Sequence, residues 1–346
     1  MKSAEMDLRW MSRIMNLAPM HLAHPFMTMK GMWLLECRLP HQQPVTILNV
    51  VKNSSTLYSS QQKNFLRNWD TNQPGRESNP MDQFRVALAQ LEPQLFDKET
   101  NLAKADEYIR QAASGGAAVI LFPELYLTGY GLDKRAVEMA ENIEGPSVRR
   151  VAELAFRHQI AVIMGYAELS PDCGHAYDAM FVVNAQGHLS GSYRKMHLFH
   201  AESNWFLPGE EFSVIDFGLG PVGLLICYDL EFPESSRTLA LSGAKWIAIC
   251  TGNMVPNQHL QEVYVQSRAA ENRLWVALAN RVGHEGNLTF FGRSAIADPY
   301  GELIVQAGDG DTILFADIDL TRADQARLNA DYLADRTPHL YRMLDS

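Results

Sequence analysis

The chain has 346 residues, of which 47% are apolar and 20% are charged, and its net charge is −10. This composition indicates a globular protein with a sizeable core, and the excess of 40 acidic over 30 basic residues argues against a nucleic-acid partner. Four cysteines without a C-x-x-C pair argue against a disulfide scaffold or zinc ribbon and favour a reducing, cytoplasmic location. No apolar run approaches the roughly 18 residues of a membrane-spanning helix, so we expect no membrane association.

Residues 1–80 differ in composition from the rest of the chain. They contain nine basic and five acidic residues and eight of the fifteen methionines, whereas the remaining 266 residues carry a net charge of −14. They show no clear hydrophobic period, and we predict a poorly ordered N-terminal extension ahead of one globular domain over residues 81–346. An alternative interpretation is that translation starts at Met81 and that the preceding segment is a gene-start artefact.

From Phe84 onward, helical and strand patterns alternate along the chain. Apolar residues three and four apart predict helices, and short continuous apolar runs predict strands that are buried on both faces. The predicted helices are Asn101–Ala113, Ser147–His158, Pro233–Ser242 and His259–Asn272. The predicted strands are Arg85–Gln90, Ala117–Phe122, Ile160–Tyr166, Met180–Asn184, His188–Tyr193, Phe212–Asp216, Val222–Ile226, Trp246–Cys250, Trp275–Asn280, Gly292–Ala297 and Glu302–Gln306. This alternation indicates a single α/β layered domain.

Two apparent motifs carry little weight. The segment Gly218–Gly223 fits G-x-G-x-x-G, but a dinucleotide site needs a strand before the motif and a helix after it, so we predict a hairpin turn there. The eleven histidines show no metal-binding spacing, and we expect His197 and His200 to orient other groups or to lie at the surface. We therefore predict no metal site.

Three segments place a reactive side chain at the end of a predicted strand. Glu124 follows a buried apolar run, Lys195 lies on a strand with Tyr193 on the same face, and Cys227 ends an apolar strand just before a helix. Each residue alone has a structural explanation, as a helix cap, an edge-strand lysine or a buried core cysteine. A cysteine at such an elbow is also exposed to substrate and faced by backbone N–H groups, which suits a nucleophile.

Together, these segments resemble the carbon–nitrogen hydrolase (nitrilase-like) superfamily. The order Glu, Lys, Cys and the intervals of 71 and 32 residues suit that family. The resemblance covers about residues 84–341 and identifies residues 81–346 as a hydrolase domain. Its markers are Pro123-Glu124 with Thr128-Gly129-Tyr130, Tyr193-Arg194-Lys195-x-His197-Leu198-Phe199, and Gly223-x-x-Ile226-Cys227-Tyr228-Asp229 followed by Phe232-Pro233-Glu234.

The resemblance implies a fold, a catalytic set and an assembly. The implied fold is a four-layer α-β-β-α sandwich, which commonly pairs into a homodimer or larger homo-oligomer. The implied roles are general base for Glu124, oxyanion stabiliser for Lys195, nucleophile for Cys227 and second glutamate for Glu202. No metal or organic cofactor is implied, because side chains and backbone supply every group that the reaction needs. The two helices predicted at Pro233–Ser242 and His259–Asn272 are candidates for the subunit contact.

Sequence details around the nucleophile favour an amidase branch of the family. The Cys227 segment is similar to bacterial 5-aminopentanamidases and aliphatic amidases, so we expect hydrolysis of a short linear amide, with ω-amino amides among the candidates. In ω-amidases an arginine stands where this chain has Glu231, and a glutamate there would repel a carboxylate. The expected substrate-binding residues are Tyr130, Tyr228, Glu231, Asn253 and Met254. An N-carbamoyl amine amidohydrolase, of the N-carbamoylputrescine type, a nitrilase and a catalytically silent binding protein remain alternatives.

Overall fold

The computed structural model describes residues 23–27, 33–37, 45–48, 82–131, 133–171 and 174–341. The chain divides into two units, Met1–Arg76 and Glu77–Ser346. The first unit contains an antiparallel three-stranded sheet in the order β1-β2-β3, formed by β1 (Ala23–Met27), β2 (Trp33–Cys37) and β3 (Val45–Leu48). Most of residues 1–80 lies outside the described residues, so the expected poor order and the gene-start interpretation stay predictions.

The second unit is built on two six-stranded sheets. The strands of the first sheet are β4 (Gln83–Gln90), β5 (Val119–Leu121), β6 (Ala161–Leu169), β7 (Ala176–Val183), β8 (Leu189–Arg194) and β17 (Thr312–Asp319). Their order is β17-β4-β5-β6-β7-β8. Strands β4, β5 and β6 pair in parallel, whereas β7 is antiparallel to both β6 and β8, so β8 runs in the same direction as β5.

The second sheet has a parallel centre and antiparallel edges. Its strands are β9 (Val214–Ile215), β10 (Val222–Ile226), β11 (Trp246–Thr251), β12 (Trp275–Asn280), β15 (Ala295–Ala297) and β16 (Leu303–Gln306). Their order is β16-β15-β12-β11-β10-β9, in which β10, β11 and β12 pair in parallel. The turn at residues 216–221 joins the antiparallel strands β9 and β10, which confirms the hairpin predicted at Gly218–Gly223. A separate hairpin consists of β13 (Val282–Glu285) and β14 (Leu288–Phe291).

Helices cover the outer faces of both sheets. The helices are α1 (Lys98–Ser114), α2 (Ala136–Met139), α3 (Pro146–His158), α4 (Pro233–Leu241), α5 (Gln258–Asn272) and α6 (Leu320–Asn329). Alternate residues of β4 point to opposite faces, so that Val86 and Leu88 join a core with the second sheet while Ala87 and Ala89 pack with α1 and α3. Helices α4 and α5 pack on the second sheet. The layers are α-β-β-α, as the family resemblance implied.

The sandwich brings several strand ends together. Strands β5, β8, β10 and β11 are followed by the segments that carry the candidate site, and carboxyl ends of strands are where α/β sheets place ligands. The predicted strands Val222–Ile226 and Trp275–Asn280 have the bounds that the structure gives them. The β13–β14 hairpin, β17, α2 and α6 were not predicted from the sequence. Within the described residues, no helix is long and apolar enough to cross a membrane.

Candidate active site

Cys227 lies at a strained turn between a strand and a helix. It directly follows β10 and begins a 3-10 turn, Cys227–Glu231, that leads into α4. Its φ angle is +45°, a left-handed conformation that non-glycine residues adopt only where the surrounding structure holds them. The first N–H groups of such a turn lack intrahelical acceptors, and that of Tyr228 is among them. The turn therefore presents Cys227, a partly exposed residue, beside a backbone donor.

The buried carboxylate of Asp229 fastens this turn to the strand that precedes Lys195. Asp229 Oδ2 accepts hydrogen bonds from Tyr193 Oη at 2.8 Å and from the Ile226 N–H at 3.2 Å. Asp229 Oδ1 accepts the His197 N–H at 2.9 Å and lies 2.8 Å from His197 Nδ1. The His197 ring stacks on Phe232 with 3.9 Å between centroids. His197 thus orients the turn, as the sequence analysis expected.

Glu124 is fully buried and follows β5 by three residues. Gly165 on β6 allows this approach, because a Cβ atom there would lie 2.4 Å from the Pro123 carbonyl oxygen and 2.7 Å from Glu124 Cα. The next residue, Leu125, has a φ angle of +48°, so the chain turns sharply after the glutamate. Glu124 Oε2 accepts the Gly252 N–H at 2.6 Å, which ties the carboxylate to the end of β11.

Lys195 directly follows β8, and its ammonium lies among three carboxyl groups. Its Nζ is 2.5 Å from Glu124 Oε1, 2.8 Å from Glu202 Oε2 and 3.2 Å from Asp178 Oδ2. Burial alone would lower the pKa of Lys195, but the negative charges of Glu124, Glu202 and Asp178 outweigh burial and raise it well above its usual value. Lys195 is therefore a permanent cation in the site.

Glu202 lies in the 3-10 turn His200–Asn204 and closes the cluster on the side of the solvent. Its Oε2 accepts the Phe199 N–H at 2.8 Å, and its Oε1 accepts the Tyr130 hydroxyl at 2.5 Å. Burial and the Glu202 carboxylate raise the pKa of Tyr130 well above its usual value, so this phenol stays a neutral donor. Glu202 thus joins the Tyr130 loop to Lys195.

A second buried ion pair supports the Tyr130 loop from behind. Glu285 Oε2 accepts the N–H groups of Tyr130 at 3.0 Å and Gly131 at 2.7 Å. Arg281 donates to Glu285 and places its Cζ 3.9 Å from the centroid of the Phe290 ring. Burial lowers the pKa of Arg281, while Glu285 opposes that change. The pair holds the Tyr130 loop in the position in which the Tyr130 hydroxyl donates to Glu202.

The Cys227 thiol is protonated in the resting site. Burial and the negative charge of Glu124 raise its pKa well above the usual value, although Lys195 and a hydrogen bond with Thr251 act in the opposite direction. A protonated thiol is a poor nucleophile, and it needs a base that takes its proton as it attacks. A carboxylate that acts electrostatically on the thiol, as Glu124 does, is suited to that task.

A cavity of about 300 Å³ lies beside the cluster and meets it at Tyr130 and Glu202, whereas Glu124, Lys195 and Cys227 are not among its lining residues. Its lining residues are Tyr130, Gly131, Asp133, Phe199, His200, Ala201, Glu202, Trp205, Phe206, Met254 and Leu288. Tyr130 and Met254, two of the expected substrate-binding residues, therefore face the cavity. The Tyr228 ring packs between Phe199 and Phe232, at 5.1 and 5.0 Å between centroids.

Three other expected substrate-binding residues, Tyr228, Glu231 and Asn253, do not line this cavity. Glu231 is half-buried at the end of the nucleophile turn, and its carbonyl oxygen accepts Arg268 Nη2 at 2.7 Å. The Asn253 N–H donates to Asn280 Oδ1 at 2.9 Å, and Asn253 Oδ1 accepts the Met254 N–H at 2.9 Å. These contacts fix the positions of Glu231 and Asn253 beside the site. The roles of Tyr228, Glu231 and Asn253 in substrate binding stay predictions.

The carboxyl groups of Glu124, Asp178 and Glu202 are the set that could ligate a metal ion among the residues that the structure describes. The Lys195 ammonium lies within 3.2 Å of an oxygen of each. A side-chain cation therefore already occupies the centre of the donor set, which fits oxyanion chemistry by lysine better than it fits a metal centre.

The sequence analysis missed three buried charged residues of the site: Asp178, Arg281 and Glu285. Asp178 interrupts the buried run of β7, and a carboxyl group inside such a run is a signal of a paired or functional acid. Arg281 and Glu285 have the i, i+4 spacing of a helical ion pair, but here they lie around the β13 strand. No local pattern indicated that pair.

Comparison with known proteins agrees with this geometry. Residues 85–328 match the carbon-nitrogen hydrolase family. An (R)-stereoselective amidase from a Pseudomonas species is 34% identical over 253 residues, which is 73% of this chain and 91% of the relative. The omega-amidase NIT2 of Homo sapiens is 32% identical over 272 residues, which is 75% of this chain and 98% of the relative.

Solved structures agree as well. One is a variant of the amidase from Nesterenkonia sp. AN1 with the acetamide moiety of fluoroacetamide covalently added at its active-site cysteine. It matches with a TM-score of 0.69 and 28% identity, over 78% of this chain and 99% of that chain. The family match extends over more than half of the chain and includes Glu124, Lys195 and Cys227. The chain belongs to the carbon-nitrogen hydrolase family, among relatives that are amidases and omega-amidases of the nitrilase superfamily.

Proposed function

We propose that this chain hydrolyses the C–N bond of a short linear amide to an acid and ammonia, through a thioester on Cys227. The observation that carries the proposal is the Lys195 ammonium held 2.5 Å from Glu124 and 2.8 Å from Glu202, next to a thiol at a strained turn. The cluster combines a base, a fixed cation and a nucleophile in one site.

Acylation begins with transfer of the thiol proton to the Glu124 carboxylate. The Cys227 sulfur forms a bond to the amide carbon, and the electron pair of the carbonyl bond moves to the oxygen. Lys195 Nζ and the Tyr228 N–H stabilise that oxyanion, and one such donor contributes about 3–4 kcal/mol to transition-state stabilisation. Glu124 then gives its proton to the nitrogen, the C–N bond breaks, and ammonia leaves.

Deacylation repeats these steps with water. Glu124 takes a proton from water, the hydroxide oxygen bonds to the thioester carbon, and the C–S bond breaks after the oxyanion collapses. The sulfur recovers the proton from Glu124, and the acid leaves. Glu202 keeps Lys195 and Tyr130 in place during both halves, since it contacts both side chains.

The cavity supports a small substrate whose far end carries no carboxylate. Its lining contains Asp133 and Glu202 but no lysine or arginine among the described residues. A carboxylate at the far end of the acyl chain would meet like charge there without a partner. Asp133 also pairs with Arg135 at 3.3 Å, so part of its negative charge is already compensated. We therefore expect the site to attract an amine less strongly than it rejects a carboxylate.

The test is ammonia release from a panel of small substrates at equal concentration. Butyramide and 5-aminopentanamide should have kcat/KM values above that of succinamate, whose far end is a carboxylate. N-Carbamoylputrescine and butyronitrile test the two alternative activities, and each should be slower than the amides. A panel in which the nitrile is fastest, or in which Cys227→Ala turns over amides at the wild-type rate, would contradict the proposal.

We also propose that the chain forms a homodimer or a larger homo-oligomer, and that it acts in the cytoplasm. Leu241 on α4 and Leu260 and Val263 on α5 support the first proposal, because between 42% and 50% of each of these apolar residues is exposed on the two helices expected to form the contact. Light scattering during size-exclusion chromatography measures the assembly, and a monomer at micromolar concentration would contradict it.

A further inference from the structure

Asp178 is a third acid in contact with the catalytic lysine. It lies on β7 and is fully buried. Its carbonyl oxygen accepts the Lys195 N–H at 2.8 Å, and its Oδ2 is 3.2 Å from Lys195 Nζ. The proposed mechanism assigns no step to this side chain.

The three acids around Lys195 differ in the donors that they receive. Glu124 accepts the Gly252 N–H at 2.6 Å in addition to the ammonium. Glu202 accepts the Tyr130 hydroxyl and the Phe199 N–H in addition to the ammonium. Among the described residues, neither carboxyl oxygen of Asp178 has a hydrogen-bond partner, and its contact with Lys195 Nζ is made at ion-pair distance. Donors stabilise the ionised form of a carboxyl group, so Asp178 has the least support for a negative charge.

The charge of the cluster points the same way. Three ionised carboxylates and one ammonium would place a net charge of −2 in a site where Glu124, Lys195 and Asp178 are all fully buried. An uncompensated charge in such a site is costly, and a bound proton removes it. With one proton the net charge is −1, and it remains −1 when the thiol proton moves to Glu124 and an oxyanion forms.

We propose that Asp178 is a positioning residue that holds this proton throughout the reaction and donates it as a hydrogen bond to the Glu124 carboxylate. The ligand oxygens of the acids lie within 4.8 Å of one another, and Glu124 and Asp178 both contact the Lys195 ammonium, so the two carboxyl groups are neighbours in the cluster. As a neutral acid, Asp178 contacts the Lys195 ammonium beside Glu124 and Glu202 without adding a third negative charge. Asp178 is then a donor to the carboxylate that accepts the thiol proton.

The electrostatics of the surroundings agree with this geometry. Burial and the Glu124 carboxylate raise the pKa of Asp178 well above its usual value, and Glu202 adds to that change, while Lys195 opposes it. The Cys250 thiol on β11 is a further titratable neighbour of Asp178. Burial raises the pKa of this thiol well above its usual value and keeps it neutral. The proposal rests on the roles assigned to Glu124 and Lys195 in the proposed function.

The test is infrared spectroscopy of the resting full-length protein at pH 8, which does not depend on turnover. Wild type should show the C=O stretch of a protonated carboxyl group, and Asp178→Asn should remove it. Asp317→Asn is the control, because Arg85 lowers the pKa of that exposed acid and its substitution should leave the stretch in place. If Asp178→Asn does not fold, wild type with carboxyl-labelled aspartate still separates Asp178 from the two glutamates.

Kinetics supply a second readout. Asparagine resembles a neutral acid in shape and donates a hydrogen bond, whereas leucine has a similar size and no donor. We expect kcat/KM for butyramide in Asp178→Asn to exceed that in Asp178→Leu by about 10-fold or more, because leucine leaves the Glu124 carboxylate without this donor. Equal losses in both variants, a missing carboxyl stretch in wild type, or a stretch that persists in Asp178→Asn would overturn the proposal. A wild type inactive on every amide would overturn the proposed function instead, and the spectrum would still decide the state of Asp178.

Discussion

Lys195 Nζ lies 2.5 Å from Glu124 Oε1, although 71 residues separate the two positions in the chain. Both side chains are fully buried, so each depends on the other for its charge. Loss of one member of a buried pair costs about 3–5 kcal/mol, because the other charge is left uncompensated. We therefore expect the pair to link the stability of the domain to the positions of Glu124 and Lys195.

Substitution of Lys195 tests this link. In Lys195→Met the oxyanion loses one donor and two glutamates lose their cation. We expect kcat/KM to fall by about 100-fold or more, together with a lower Tm. Lys98→Met is a matched control, since Lys98 also lies 2.5 Å from a glutamate, Glu141, but on the helical side of the sheet. A control variant that loses as much activity would contradict the assignment.

The ion pair behind the Tyr130 loop gives a second prediction. Glu285→Gln keeps the shape of the side chain but leaves the buried Arg281 without its anion and weakens the acceptor for the Tyr130 and Gly131 N–H groups. We expect a lower Tm and a roughly 10-fold lower kcat, because the Tyr130 hydroxyl loses its alignment with Glu202.

The control for this variant is Glu107→Gln, which removes an exposed pair with Arg110 on α1. Exposed pairs of this kind contribute little to stability, so Tm should be nearly unchanged. Thermal denaturation and steady-state kinetics on both variants measure the difference. Wild-type kcat in Glu285→Gln would show that the pair does not position the loop.

Gly165 gives a steric prediction. In Gly165→Ala, a Cβ atom would lie 2.4 Å from the Pro123 carbonyl oxygen, a distance that forces the Glu124 segment away from β6. We expect loss of activity and of stability together, with the base displaced from the thiol. Gly308→Ala is the control, because nothing lies within 4 Å of its Cβ position. Retention of wild-type kcat/KM by Gly165→Ala would contradict the described packing.

The thiol pKa gives a prediction about pH. Burial and Glu124 raise the pKa of Cys227, so the thiolate becomes abundant only at higher pH. Modification by a small neutral thiol reagent, methyl methanethiosulfonate, should therefore keep accelerating above the ordinary thiol pKa of about 8.5. In Glu124→Gln the profile should move to lower pH, because the like charge is gone. Cys227→Ala supplies the background, and a wild-type plateau near neutral pH would contradict the protonated resting thiol.

Local hydrophobic patterns in the sequence predicted the strands whose residues are apolar throughout. The buried runs Val222–Ile226 and Trp275–Asn280 are apolar throughout, and their strand bounds agree with the structure. Strand β17 lies at the sheet edge, where exposed Phe315 and Asp317 alternate with buried residues, so it lacks the continuous apolar run by which the buried strands were predicted. The hairpin β13–β14 was missed for a different reason. It begins next to Arg281, and an arginine in a sequence indicates an exposed position, whereas Arg281 is fully buried because it pairs with Glu285.

The candidate site shows the same division. Glu124, Lys195 and Cys227 each stand at a strand end, so their sequence context indicated them, and the structure brings the first two into contact. Asp178 could not be assigned from its position alone, because its function depends on which side chains the neighbouring strand β8 and the turn after β5 present to it. Glu231 was expected at the substrate, yet it lies outside the lining of the cavity.

The most direct test of the account is the mass of the enzyme during turnover of butyramide. Rapid acid quenching followed by peptide mass spectrometry should find one butyryl group, on the peptide that contains Cys227. Cys227→Ala should carry no such group and should release no ammonia above background. An acyl group on another residue, or ammonia release by Cys227→Ala at the wild-type rate, would contradict catalysis through a thioester on Cys227.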